Sequence, residues 1–166
     1  MKTISKTIYS KNPAARQMFV TRQFDSPVDL VWKTWTRGDI LDEWWAPRHW
    51  KTNTVRMDFR NGGHWLYYME GPDGSRHYCR ADYNNIVEGK SFEGYDGFCD
   101  EKGVLNLQMP RTLWKVSFTE AEGKTQVIAE LTYGTQSDLE KIIEMGFEQG
   151  FAMAHDNLDE LLPTLK

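Results

Sequence analysis

The chain has 166 residues, with 20 basic and 24 acidic side chains and a net charge of −4. That length suits one domain able to bury roughly 70% of its unfolded surface without a disulfide or metal. A net negative protein has no overall attraction for phosphates, which excludes nucleic-acid binding as a main role, and nothing in the composition points to a membrane surface.

The opening stretch MKTISKTIYSKNPAAR is polar and unpatterned and contains no apolar run of signal-peptide length. It reads as a flexible leader over residues 1–15, ahead of a single domain over 16–166. With two cysteines and no long apolar segment, the expected setting is a reducing cytoplasm. Gln17 to Phe24 is aromatic and β-branched enough for a strand. Asp25-Ser26-Pro27 then predicts a turn and N-cap, with Pro27 at the first helical position. Val28, Val31, Trp32 and Trp35 follow at helical spacing, and Gly38 ends that helix. A second short helix over about Asp39 to Trp45 stops ahead of Pro47.

Strands separated by turn signals follow. They are expected over Thr52 to Phe59, Trp65 to Met69, His77 to Val87, Ser91 to Cys99, Leu113 to Thr119 and Thr125 to Tyr133. The short dividers suit antiparallel hairpins, because parallel crossovers need intervening helices. A hairpin centred on Gly89 sets Cys79 opposite Cys99 and Asp82 opposite Asp96. The pair is expected as two free thiols, not a bridge. Ser137, with Glu140 completing a capping box, opens one long helix that runs to Leu162. Leu139, Ile143, Gly146, Gly150, Met153, Asn157 and Leu161 share one face of it. Gly146 and Gly150 read as points where a strand, a bulky ring or a ligand approaches the helix closely, so that Gly150→Leu overpacks.

The order is strand, two short helices, a strand meander and one long helix. It predicts an α+β fold in which a curved antiparallel sheet wraps around the C-terminal helix. Specific stretches carry a resemblance. The run from Arg16 through Phe24 and Pro27 to Trp35 resembles the opening signature of the activator-of-Hsp90-ATPase-homologue-1-like family, within the START/Bet v 1-like (SRPBCC) superfamily. Leu41-Asp-Glu-Trp44-Trp45-Ala46-Pro47 resembles its tryptophan-pair-to-proline motif, with Ala46 where Gly is usual. Asp58-Phe-Arg60-Asn-Gly62-Gly63 resembles its double-glycine turn, and Met145-Gly146-Phe147-Glu-Gln-Gly150-Phe151 the end of its final helix. The resemblance implies the helix-grip fold and a cavity between sheet and helix. The eukaryotic activator has an additional N-terminal domain that docks on the chaperone. This chain has no room for one, so Hsp90 is not an expected partner.

No catalytic constellation emerges from the residues. His49, His64, His77 and His155 lack metal-ligand spacing, no G-x-S-x-G elbow occurs, and no cofactor is implied. Asp58, Arg60 and Glu70 lie among apolar residues on predicted strands, where a carboxylate–Arg pair is first of all a structural salt bridge. Aromatics make up 13% of the chain, seven of them Trp, and these either fill the groove or line a pocket. By alternation, Trp65, Tyr67 and Met69 share one strand face, Tyr83 and Cys79 another, and Trp114, Val116 and Phe118 a third. Trp35 and Trp45 close one end beside the helix. The expected ligand-cavity residues are therefore Trp35, Trp45, Trp65, Tyr67, Met69, Tyr83, Trp114, Phe118, Gly146, Gly150 and Met153. The expected partner is a small hydrophobic or amphipathic ligand, bound by a monomer or homodimer. A cyclase- or hydrolase-like enzyme, or a chaperone or regulator interaction domain, stays open as the alternative.

Overall fold

The computed structural model describes residues 6–165. Eight strands form one antiparallel sheet: β1 (Ile8–Asn12), β2 (Gln17–Phe24), β3 (Lys51–Met57), β4 (His64–Glu70), β5 (Arg76–Val87), β6 (Ser91–Cys99), β7 (Thr112–Ala121) and β8 (Lys124–Tyr133). Their order is β1-β2-β8-β7-β6-β5-β4-β3. Every neighbour is a sequential hairpin except β2–β8, which joins the early strands to the end of the meander. Alternation decides the faces: Met18, Val20, Arg22 and Phe24 of β2 are buried between less buried neighbours, as are Thr112, Trp114, Val116 and Phe118 of β7. The sheet is gripped around the C-terminal helices, so the fold is α+β helix-grip, as the residue pattern implied.

Part of the expected loose leader is ordered. Ile8–Asn12 adds an edge strand to β2, and a short 3-10 turn over Pro13–Ala15 follows; residues 1–5 lie outside the described residues. Tyr9 explains the order, because its hydroxyl donates to the Glu148 carbonyl at 2.6 Å and ties the strand to the last long helix.

Helices α1 (Val28–Thr36) and α2 (Gly38–Trp44) carry the chain from β2 to the far edge strand β3. Pro27 is the N-cap of α1 and not its first residue, and the Val28 N–H donates to Glu120 of β7 at 2.7 Å. The cap is thus supplied across the fold, which Asp25 and Ser26 could not reveal. Gly38 opens α2 instead of ending α1, and its lack of a side chain admits Thr54, whose Cγ2 would lie 2.9 Å from a Cβ there.

The single long helix divides in two. Thr135, not Ser137, caps α3 (Gln136–Glu144) by accepting from the Asp138 N–H at 3.0 Å. Gly146 then takes φ 88°, its N–H bonded to the Ile143 carbonyl at 3.0 Å, and α4 (Phe147–Leu161) starts afresh. A left-handed residue satisfying the last carbonyls is how glycine commonly ends a helix. The break resets the helical phase. Phe151, Ala154, His155 and Leu158 are the buried residues of α4, whereas Met153 is 43% exposed.

The β5–β6 hairpin is shifted by one residue from the Gly89-centred pairing. Cys79 faces Phe98, Tyr78 faces Cys99, Ala81 faces Asp96 and Asp82 faces Tyr95. An irregularity between Asn84 and Val87, with Asn85 at φ 50°, absorbs the extra residue. The slip sends the two cysteines to opposite faces and both are free. It also removes the like-charge pair: Asp82 bonds Arg80 on the outer face, and Asp96 turns inward.

Candidate functional site

A cavity of about 460 Å³ lies between the concave face of β4–β7 and the α3–α4 break. That size falls within the range of small-molecule sites. Tyr67, Met69, Cys79, Asp96, Phe98, Thr112 and Trp114 form the sheet side. Ile142, Met145, Gly146, Phe147, Gly150 and Phe151 form the helical side. Trp45, Pro47 and Trp50 close one end, with Trp50 packed on the exposed His77 ring at a centroid distance of 5.4 Å.

The tryptophan-pair-to-proline segment positions that end. Trp44 is buried, its indole N–H donating to the Thr34 carbonyl at 2.8 Å, which pins α2 to α1. Asn157 of α4 donates to the Ala46 carbonyl at 3.0 Å and so holds the chain that follows α2 against α4. Trp45 is thereby turned toward the sheet, where its indole N–H donates to the Tyr67 hydroxyl at 3.1 Å. Tyr67 in turn stacks on Trp65 with centroids 3.8 Å apart.

The glycines contribute space and not contact. A Cβ at Gly146 would meet nothing within 4 Å, and one at Gly150 would touch only Pro47, at 3.9 Å. The expectation of closest approach at these two positions is overturned. Both face the cavity, so the missing side chains are part of what keeps it open.

The expected cavity residues therefore separate. Trp45, Tyr67, Met69, Trp114, Gly146 and Gly150 line the large cavity. Trp35, Trp65 and Tyr83 instead border a small inner void of about 30 Å³, which shares Trp45, Tyr67, Asp96 and Trp114 with it. Phe118 lines neither: it is buried in edge contact with Trp32 at 5.1 Å and Trp35 at 6.0 Å, as core. Met153 points away because of the helix break. Asp58–Arg60 and Glu70–Arg76 are ion pairs that take no part in the cavity lining, with Asp58 and Arg60 both largely exposed.

Asp96 is the polar group that the residue pattern missed. Its carboxyl accepts from the Trp114 indole N–H at 2.7 Å and from the Thr112 backbone N–H at 3.2 Å. Removal from water pushes it up to about 7, against the pull of those two hydrogen bonds and of Arg111. Burial also pushes the Cys79 thiol up to about 12 and the Tyr67 hydroxyl well above its ordinary value. The signal for Asp96 was available, since Phe92, Gly94, Asp96 and Phe98 alternate along β6 and the two phenylalanines mark the inner face. Among the described residues, no lysine or arginine lines the cavity, and no group of three or more potential metal ligands occurs.

His155 and His64 are engaged elsewhere. His155 of α4 is buried against Phe151 at 4.1 Å and Phe24 at 5.6 Å, with Thr7 Oγ1 2.8 Å from its Nδ1. Burial and the nearby Arg22 guanidinium push it down to about 3, so it is neutral at ordinary pH. His64 takes a hydrogen bond from Arg56 Nε at 2.9 Å.

This geometry places the sequence signatures where a helix-grip family would have them, and the family profile for the activator of Hsp90 ATPase homolog 1-like proteins matches residues 25–163. The chain belongs to that family. Its fold is similar to a solution structure of a protein from Arthrobacter aurescens, with a TM-score of 0.89 and 29% identity, covering 95% of this chain and 91% of that one. A crystal structure of a protein from Mycobacterium smegmatis is similar at a TM-score of 0.87 and 29% identity, covering 95% and 96% of the two chains. A Staphylococcus epidermidis protein is similar at 0.83 and 25% identity, covering 95% and 94%. No curated protein matches the chain. Among the described residues of this family member, no helix is long and apolar enough to cross a membrane.

Proposed function

We propose that the protein binds a small hydrophobic or amphipathic molecule in the cavity between β4–β7 and the α3–α4 break. The observation that carries this reading is the cavity itself: about 460 Å³ of space walled mainly by aromatic and aliphatic side chains, beside a core of fully buried ones. Apolar walls with a few fixed polar tips favour such ligands. Tyr67 and Cys79, beside Asp96, both keep their protons through neutral pH, so the lining around that one carboxyl is uncharged.

Prodan, a neutral polarity-sensitive naphthalene dye, tests the reading. Its emission is expected to shift to the blue and saturate at one dye per chain. In Gly150→Phe, where the new ring occupies the cavity, the response is expected to fall at least about ten-fold. Unsaturable emission, or an unchanged response in that variant, contradicts the assignment.

A further inference from the structure

The cavity wall has a one-sided charge inventory. Asp96 is its one carboxylate and no lysine or arginine joins it among the described residues. Each of its oxygens holds a single N–H, from Thr112 and from Trp114. An ionised carboxylate accepts about four hydrogen bonds, so acceptor capacity is left over. The cation whose charge reaches it, Arg111, turns its guanidinium to the opposite face of the sheet. Its guanidinium stacks 3.7 Å from the Tyr95 ring centroid and lies 3.7 Å from Asp82. Asp96 therefore lines an apolar space without a counter-charge inside it, an arrangement that is costly unless something pairs with it.

We propose that the cavity selects a small aromatic molecule carrying a protonated amine, which pairs with Asp96, and rejects carboxylates and other anionic amphiphiles. This rests on the cavity being a ligand site, and it names the ligand's chemistry. The aromatic walls suit the apolar body of such a ligand. Rings such as Trp45, Trp114 and Phe151 also present negative faces that favour a cation. An anionic headgroup would meet a carboxylate and no donor of positive charge. The raised pKa of Asp96 agrees with this, being what a carboxyl lacking its partner shows. The groups that face it from neighbouring strands do not supply the charge. Tyr67, Cys79 and Tyr133 are all shifted toward their neutral forms by burial, and His77, the one histidine of the lining among the described residues, is exposed to water at the Trp50 end. The helical side, through Ile142, Phe147 and Phe151, contributes no ionisable group.

Calorimetric titration with naphthylmethylamine, naphthylmethanol and naphthoate separates the possibilities, because the three share one ring system. At about pH 8 the amine is expected to bind about ten-fold or more tighter than the alcohol, with naphthoate weakest. The amine's advantage is expected to shrink toward about pH 6, where Asp96 holds a proton. In Asp96→Asn the three are expected to bind within about two- to three-fold of one another. If that variant does not fold, the ranking and its pH dependence in the natural protein decide alone. Saturable binding of the alcohol with no preference for the amine, or a preference for naphthoate, overturns the selectivity and leaves the cavity standing as a site. Failure of all three to bind overturns both.

Discussion

The two ends of the groove are built from the same kinds of residue and do different things. At one end Trp32 meets Phe59, Phe92 and Phe118 edge-on at 5.9, 5.9 and 5.1 Å, and Trp35 meets Trp44 at 5.2 Å. At the other, Trp114 meets Phe147 at 6.0 Å and Phe151 at 5.4 Å across a gap that Gly146 and Gly150 leave unfilled. Aromatic content thus does not decide between core and pocket. What decides is whether the facing helix presents a side chain or a glycine. In the packed end Trp32 and Trp35 meet these neighbours edge to face, which stabilises beyond area alone. In the open end the helix breaks, and the lining rings keep a free side.

The largest effect separating the two ends is expected from truncating rings. Trp35→Ala should cost about 3–5 kcal/mol, the range for removing a large aromatic from a core. Phe147→Ala, half-buried at the cavity, should cost about 1 kcal/mol. Urea unfolding of both variants checks the contrast, and equal losses break it. Trp35→Phe sharpens it further, because the Trp35 indole N–H has no hydrogen-bond partner among the described residues. Its loss leaves no orphaned acceptor, so this variant should cost much less than Trp35→Ala.

Next in size is the dependence on pH. His155, in the packed end, is held down to about 3, so it contributes stability that is full above its unfolded value near ~6.5 and is lost as pH falls. Asp96, in the open end, is held up to about 7, so its contribution is full below its unfolded value near ~4 and is lost as pH rises. Between about pH 4 and 6.5 the two slopes oppose and largely cancel, each being at most about 1.4 kcal/mol per unit. Asp96→Asn removes one of them. From about pH 6 to 4 this variant should therefore lose about 2–3 kcal/mol more than the natural protein. Parallel stability profiles would show that the two groups do not oppose each other.

Smaller effects attach to the glycines. Gly146→Ala places a Cβ at φ 88° and should cost about 1–2 kcal/mol in strain although nothing crowds it. Gly150→Leu should change stability by less than about 1 kcal/mol, since helix propensity gains where the cavity accepts the new side chain. Overpacking by ~1–3 kcal/mol, the expectation from the residue pattern alone, would show that the open end is closed in solution. Thermal unfolding measures both.

These contrasts also explain what was legible in the sequence. Strands were readable because alternation and turn glycines are local, and β2 and β6 fall where the pattern set them. The β5–β6 register was not, because a single irregularity beside Asn85 shifts every pair beyond it. The helical face was misread past Gly146, since a glycine on the helical period looks like close packing while the same glycine in a left-handed conformation stops the helix. Met153 was lost to that error, and the inward ring of Phe147 was overlooked because of it. Asp96 was hidden by the register, which set it against Asp82 in place of Ala81.

The most direct test of the open end is a methyl NMR titration with naphthylmethanol, reading the methionine, isoleucine, leucine and valine methyls together. Met69, Ile142 and Met145, which line the cavity, should shift and saturate at a common concentration, while Val20, Val31 and Leu158 of the packed core stay in place. Shifts that never saturate, or that fall equally on the packed core, would contradict a built ligand site between the sheet and the broken helix.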